Sequence, residues 1–167
     1  EALGDLDAVE QRLKDGEIAA VIIEGIQGVN GIQVAEPGFL SGLSTLTKKY
    51  GAKLILDEVQ SGYGRTGKFF AHQWTAELAP DLITIAKGMG NGFPIGGVLI
   101  HPDIEAKFGL LGTTFGGNHL ACAAGLAVLE ILEEENLMAN AEQLGDFLIQ
   151  ELNEGFPEIL AVRGKGL

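Results

Sequence analysis

Cysteine and basic residues are scarce in this sequence. A single cysteine, Cys122, excludes an internal disulfide and favours a reducing compartment. It lies in an Ala-rich helical stretch, which predicts a small core residue. Eleven Lys and Arg residues against 23 Asp and Glu residues give a formal net charge of −12, which argues against a nucleic-acid or anionic-membrane partner. No apolar run approaches membrane-spanning length, and no signal peptide is recognisable. These absences favour a soluble, cytoplasmic protein.

Apolar residues are plentiful, at 46% of the 167 positions, and most of them are Leu, Ile, Val and Ala. That amount supports one domain with a real core, and the residue types favour an α/β layer architecture. The 25 glycines fall mainly in short loops beside charged or amide residues. We therefore treat residues 1–167 as one domain.

Helical and strand patterns alternate along the chain. Helical spacing predicts helices near residues 6–14, 37–50, 120–134 and 137–154. Short apolar runs predict strands near residues 19–23, 53–56, 82–85 and 96–100, and a further strand beginning at 159–162. This order predicts right-handed βαβ units and a mostly parallel sheet with helices on both faces.

Polar residues follow three of these strands, although packing of a buried core requires apolar residues. They are Glu24 with Gln27, Asp57 with Gln60, and Lys87. Ligands of open parallel sheets bind beyond the carboxyl ends of the strands. Asp57 and Lys87 are 30 positions apart, about one βαβ unit. We therefore expect a carboxylate and an amine at the same edge of one sheet.

Lys87 and Asp57 together suggest cofactor chemistry. A lysine after the apolar 82–85 run would be partly desolvated, which favours the neutral amine that forms a Schiff base. A buried aspartate could hold a pyridine nitrogen protonated and so make the ring an electron sink. On position alone, Lys87 could equally be a solvated loop residue, and Asp57 a helix cap or a structural carboxylate.

Four segments resemble the class III aminotransferases of the ornithine and acetylornithine type. They are LILDEVQSGYGRTG (54–67), ITIAKGMGNGFPIGG (83–97), GTTFGGN (112–118) and VRGKGL (162–167). They occur in the family's order and span nearly the whole chain. The resemblance implies the large domain of fold type I, with pyridoxal 5'-phosphate as cofactor and no metal.

The resemblance also assigns roles to residues. Lys87 would be the catalytic Schiff-base lysine and proton shuttle, Asp57 would pair with the pyridine nitrogen, Val59 would pack on the ring, and Gln60 would contact the ring's 3-oxygen. In a homodimer, a hydroxyl would reach the partner's cofactor phosphate. The implied cofactor-binding set is Glu24, Gln27, Asp57, Glu58, Val59, Gln60, Lys87 and Thr114, with Thr113 beside the substrate.

The implied activity is transamination from an amino donor to a 2-oxo acid, within arginine biosynthesis. Ornithine and γ-aminobutyrate enzymes of the family carry a second glutamate where this chain has Val29. That difference favours an acylated ornithine, such as acetylornithine, as donor and 2-oxoglutarate as acceptor. Ornithine or another ω-amino acid remains the alternative. His119 stands where many relatives have proline, which we interpret as a variation at a helix entry.

Two other functions fit parts of the sequence. Residues 62–68 read G-x-x-x-x-G-K, as in a P-loop nucleotide-binding protein, although Phe69 replaces the metal-binding hydroxyl and the loop follows the Asp-Glu strand. The second alternative function is a non-catalytic dimerisation module.

The family's Gly-rich phosphate loop and C-terminal small domain have no counterpart in this sequence. We therefore expect the sequence to be a fragment of a longer chain and to be inactive alone.

Overall fold

A computed structural model describes residues 3–105 and 107–167. The strands and helices, in chain order, are α1 (Leu6–Lys14), β1 (Ala20–Ile23), β2 (Ile26–Gln27), β3 (Gln33–Val34), α2 (Phe39–Tyr50), β4 (Lys53–Asp57), β5 (Leu82–Ile85), β6 (Gly97–Ile100), α3 (His119–Glu134) and α4 (Leu137–Gly155). Two 3₁₀ turns, Ala71–Trp74 and Lys87–Met89, flank β5. The α/β prediction is confirmed.

The main sheet has four strands in the order β1-β4-β5-β6. The first three are parallel, and β6 runs antiparallel to β5 at the edge. Asp81, just before β5, binds β4 through its carboxylate: Oδ2 accepts from the Leu54 N–H at 2.9 Å and Oδ1 from Lys53 Nζ at 2.8 Å. This contact fixes the register of the two strands whose ends carry Asp57 and Lys87.

Local signals explain where α1 begins and where α2 ends. The Asp5 carboxylate accepts a hydrogen bond from the Ala8 N–H at 2.8 Å and caps α1. Helix α2 ends at Gly51, whose φ of 72° is a left-handed conformation that glycine adopts without a Cβ penalty. The Gly51 N–H then donates to the carbonyls of Lys48 and Thr47.

The core lies on one face of the sheet. Leu54 and Leu56 of β4 are 1% and 0% exposed and pack with the buried Phe39, Leu40 and Leu43 of α2. Burying each such side chain contributes about 1.5–3 kcal/mol. Alternation along the strand sends Asp57 to the opposite face.

The opposite face has two rows of register neighbours. One row is Ile22, Ile55, Leu82 and Ile100, and the other is Asp57, Thr84 and Val98. Ile22, Val98 and Ile100 remain exposed in this chain. The Asp57 row lies nearer the carboxyl ends of β4 and β5, where the site was predicted.

Three features differ from the prediction. Residues 159–162 form no strand, because a strand needs a neighbour to pair its backbone groups and none of the described strands pairs with them. The antiparallel pair β2–β3 was not predicted, since two residues per strand give no periodicity. Cys122, expected to be a small core residue, is exposed on α3.

Candidate functional site

Asp57 is the last residue of β4 and is half-buried. Its Oδ1 accepts a hydrogen bond from the Val59 N–H at 3.0 Å, which orients the carboxylate at the point where the chain leaves the sheet. Asp57 is paired in register with Thr84 of β5. The prediction that Asp57 lies at the carboxyl edge of the sheet is therefore confirmed.

Thr84 gives this edge an unsatisfied polar group. Its hydroxyl is buried and has no hydrogen-bond partner among the residues that the structure describes. Buried polar atoms are nearly always paired, so an orphaned hydroxyl beside a carboxylate indicates a place where a polar ligand completes the structure.

Lys87 follows β5 and opens the 3₁₀ turn Lys87–Met89. Its φ of 43° lies in the left-handed region, which is costly for a residue with a side chain. Such conformations cluster at functional sites. The Lys87 carbonyl accepts from the Gly90 and Asn91 N–H groups at 3.2 and 3.1 Å, which holds the turn.

The expected desolvation of Lys87 is not found, because the residue is exposed in this chain. The left-handed turn carries it out of the apolar β5 environment on which that expectation rested. Lys87 does lie, as predicted, at the end of β5, the strand that neighbours β4.

Glu24, Gln27 and Asp57 line one cavity of about 510 Å³, whose walls include Ile22 and Ile23 of β1. That volume is within the range of small-molecule sites. Glu24 Oε2 accepts from the Gly28 N–H at 3.2 Å, and Gln27 Oε1 accepts from Asn30 Nδ2 at 3.0 Å. The structure thus brings together three of the predicted residues, whereas Lys87 does not line this cavity.

Gln60, in the turn after β4, lies against Gly28, the residue that follows β2. Its amide lies so close to Gly28 that a Cβ at that position would overlap it. Gly28 is therefore required for this approach. Gln60 and Gly28 also line a neighbouring cavity of about 290 Å³ together with Arg163.

Glu58 requires a correction, because we predicted it among the cofactor-binding residues. Its side chain is 0% exposed, and both oxygens accept hydrogen bonds within the chain. Burial alone would raise the pKa of Glu58, but hydrogen bonds from His72, Ser61 and the Ala71 N–H hold that pKa below its ordinary value. Glu58 is thus an ionised structural group without access to a ligand.

Thr113 and Thr114 lie in an exposed segment, residues 107–120, apart from the cavity described above. The Thr113 hydroxyl accepts from the Gly116 N–H at 3.2 Å. His119 is the first residue of α3, behind the N-cap Asn118, so its predicted place at a helix entry is confirmed.

The glycine-rich loop, residues 62–68, does not have the geometry of a P-loop. It follows β4 and leads to the 3₁₀ turn Ala71–Trp74, whereas a P-loop runs from a strand into a helix. A Cβ at Gly64 or Gly67 would contact Met138 or Glu142, so α4 covers the loop. The nucleotide-binding alternative is therefore rejected.

The remaining residues fit pyridoxal phosphate on their chemistry. Asp57 offers a carboxylate to a ring nitrogen, the Thr84 hydroxyl lacks a partner beside it, and Lys87 presents an amine at the neighbouring strand end. No group of three or more His, Cys, Asp or Glu side chains arranged for a metal ion occurs among residues 3–105 and 107–167. Within the same ranges, no helix is long and apolar enough to cross a membrane.

Known proteins resemble the chain in sequence and in structure. Acetylornithine aminotransferase 1 of Bordetella bronchiseptica is 48% identical over 155 residues, which cover 90% of this chain and 39% of that protein. The acetylornithine aminotransferase structure from Elizabethkingia anophelis superposes with a TM-score of 0.89 at 40% identity, covering 100% of this chain and 43% of the other. The chain thus spans about two fifths of the length of these relatives.

An ornithine aminotransferase structure from Toxoplasma gondii superposes equally well, with a TM-score of 0.90 at 37% identity over 98% of this chain and 40% of the other. That structure is described with pyridoxal phosphate (PLP) partially occupying its active site. The sequence pattern of aminotransferase class III matches residues 1–167. The chain belongs to the class III aminotransferases, a family that uses pyridoxal phosphate.

Proposed function

We propose that the protein containing this chain is an aminotransferase. It transfers the terminal amino group of an acylated ornithine, such as acetylornithine, to 2-oxoglutarate, in arginine biosynthesis. The main support is the placement of Asp57 and Lys87 at the ends of adjacent parallel strands, with Lys87 in a strained backbone conformation. The relative from B. bronchiseptica, named as an acetylornithine aminotransferase, supports the donor.

When bound, pyridoxal phosphate would supply an aldehyde for the donor's amine and a ring that acts as an electron sink. Asp57 would face the ring nitrogen and favour its protonated form, because the Val59 N–H already orients Asp57 Oδ1. The Gln60 amide would donate to the ring's 3-oxygen, and Val59 would pack on one ring face. Glu24 and Gln27 support the site from the β1 side of the cavity.

Lys87 would act as the general acid–base group. Its neutral Nζ would take a proton from the donor carbon that bears the amino group and return that proton to the cofactor's C4′ carbon. Because Lys87 is exposed, its side chain can rotate so that Nζ reaches both carbon atoms. The left-handed backbone turn holds the Lys87 Cα in place during this rotation.

We also propose that the active protein is a cytoplasmic homodimer. Residues 107–120 present large apolar side chains to solvent, including Phe108, Leu111 and Phe115. An exposed apolar segment of this kind is typical of an interaction surface. In the dimer, Thr114 would reach the partner's cofactor phosphate and Thr113 would lie beside the substrate.

Ornithine is the second candidate donor, because the similar structure from T. gondii is an ornithine aminotransferase. Val29 favours the acylated donor. It is 93% exposed between β2 and β3, and its apolar side chain cannot provide the charge of the glutamate found in ornithine enzymes.

The test is to assay the natural protein with acetylornithine, succinylornithine and ornithine as donors and 2-oxoglutarate as acceptor. We expect the highest kcat/KM with an acylated ornithine. Lys87→Ala should lower kcat by about 10²–10⁴-fold, the contribution of a general acid–base group. Lys48→Ala, an exposed lysine on α2, is the control and should retain activity. Full activity of Lys87→Ala would refute the proposal.

A further inference from the structure

Glu58 is the centre of a buried polar cluster directly after the proposed cofactor acid. Its Oε2 accepts from Ser61 Oγ at 2.6 Å and from the Ala71 N–H at 3.0 Å. Its Oε1 accepts from the His72 N–H at 2.9 Å and from His72 Nδ1 at 2.8 Å. A carboxylate oxygen accepts hydrogen bonds, so this short contact fits the His72 tautomer that carries its proton on Nδ1.

This cluster joins two parts of the chain that are 13 and 14 residues apart. One part is the tight turn that leaves β4, closed by a hydrogen bond from the Gly62 N–H to the Glu58 carbonyl at 3.0 Å. The other is the start of the 3₁₀ turn Ala71–Trp74. The Glu58 side chain therefore ties the turn after β4 to a second element.

The same turn presents the groups that define the proposed site. Val59, which follows Glu58, supplies the N–H that orients Asp57 Oδ1. Gln60, one residue further, reaches across to Gly28. The Glu58 N–H continues the ladder to the Thr84 carbonyl at 3.0 Å, so Glu58 is fixed through both its backbone and its side chain. Any movement of Glu58 would be passed to Val59 and Gln60.

We propose that Glu58 and His72 form a positioning pair, which holds the turn after β4 so that Asp57 and Gln60 face the cofactor ring. The pair touches neither substrate nor cofactor. This inference rests on the proposed function, because it concerns the same site. It assigns the buried carboxylate and the histidine a role in cofactor affinity beyond their contribution to folding.

The test uses the natural protein and measures two quantities for each variant: the Kd for pyridoxal phosphate, by absorbance titration of the cofactor-free protein, and the thermal unfolding midpoint. Glu58→Gln removes the charge at nearly constant shape. His72→Phe removes the ring donor, and His72→Asn can restore an N–H toward Glu58.

Thr47→Ala is the matched control. Thr47 is 1% exposed, and its hydroxyl donates to the Leu43 and Ser44 carbonyls at 2.9 and 3.2 Å. It lies near the end of α2 that leads into the start of β4, away from Asp57. Its loss should lower the unfolding midpoint without changing the cofactor site.

We expect Glu58→Gln and His72→Phe to raise the Kd about tenfold, the lower end of the effect of lost supporting hydrogen bonds at metal sites. His72→Asn should recover part of the affinity, and Thr47→Ala should bind as the wild type does. Two outcomes would overturn the inference. One is an unchanged Kd in Glu58→Gln and His72→Phe. The other is a Kd raised no more than in Thr47→Ala when the variants have equal unfolding midpoints.

Ser61→Ala keeps the proposal testable if the stronger variants do not fold. It removes one donor to Glu58 and should raise the Kd in the same direction, and an unchanged Kd would count against the positioning role. A wild-type protein that binds no pyridoxal phosphate would instead refute the proposed function itself.

Discussion

At the residue scale, Lys87 has two separate roles, one for its side chain and one for its backbone. Its side chain must reach a ligand, and its backbone must occupy the left-handed region at φ 43° to start the turn after β5. The sequence predicts the first role from the position of lysine at a strand end. It cannot predict the second, because the φ of one residue depends on the turn that follows, which no periodicity reports.

We therefore predict that Lys87→Gly is more stable than Lys87→Ala, although neither variant can perform the chemistry. Alanine retains the Cβ that is strained at φ 43°, whereas glycine does not, and the difference should be about 1 kcal/mol. Urea unfolding of the two variants of the natural protein measures it. An alanine variant as stable as the glycine variant would show that the turn is unstrained.

Glu58 illustrates what sequence reasoning missed. The family resemblance places Glu58 among the cofactor-binding residues next to Asp57, yet its hydrogen-bond partners Ala71 and His72 follow 13 and 14 residues later. The alternation of side chains along β4 already indicated that neighbours point apart. Only the folded structure shows what the buried carboxylate contacts.

The lowered pKa of Glu58 makes a prediction about pH. A carboxyl whose folded pKa lies below its unfolded value stabilises the protein above the unfolded pKa, about 4.3, and that stabilisation is lost as pH falls through the lower folded value. Wild type should thus be more stable than Glu58→Gln at neutral pH, with the difference shrinking below about pH 4.3. Urea midpoints of both proteins across pH 2–7 check this, and a gap that widens in acid would contradict it.

At the element scale, the sequence predicted the helices and main strands well because their signals are local. Helix α1 and strand β5 have the predicted bounds, and β6 begins one residue later than expected. The two-residue strands of β2–β3 and the tail at 159–162 were mispredicted, since their structure depends on partners elsewhere in the chain. The clustering of Asp57 with Glu24 was predictable because parallel strands share an edge.

The two faces of the sheet should respond differently to substitution. Leu54→Ala opens a cavity against α2 and should cost about 2–5 kcal/mol. Ile22→Ala, in the neighbouring strand β1, removes a side chain that is 62% exposed and should change stability by about 0.5 kcal/mol or less. Denaturant unfolding compares them. Equal losses would show that further structure covers Ile22.

At the scale of the whole molecule, charge and apolar surface oppose each other. The net charge of −12 favours separation of copies, whereas the exposed apolar side chains of residues 107–120 favour association. The proposed homodimer resolves this conflict by burying the apolar segment. The rest of the acidic surface would stay in water.

We predict that Phe115→Asp shifts the natural protein from dimer to monomer, because Phe115 is 79% exposed in that segment and a carboxylate there would be buried without a partner. Phe156→Asp, at the end of α4 and 50% exposed, is the control and should leave the dimer intact. Sedimentation velocity distinguishes the two states. A Phe115→Asp protein that remains dimeric would place the interface elsewhere.

Asp57 and Lys87 are proposed to flank one pyridoxal phosphate. Borohydride reduction of the cofactor-loaded natural protein, followed by peptide mapping, identifies the lysine that binds the cofactor. We expect the phosphopyridoxyl adduct on Lys87, and weaker loading in Asp57→Ala. An adduct on another lysine, such as Lys68 or Lys165, or no adduct on any lysine, would show that Lys87 does not bind the cofactor.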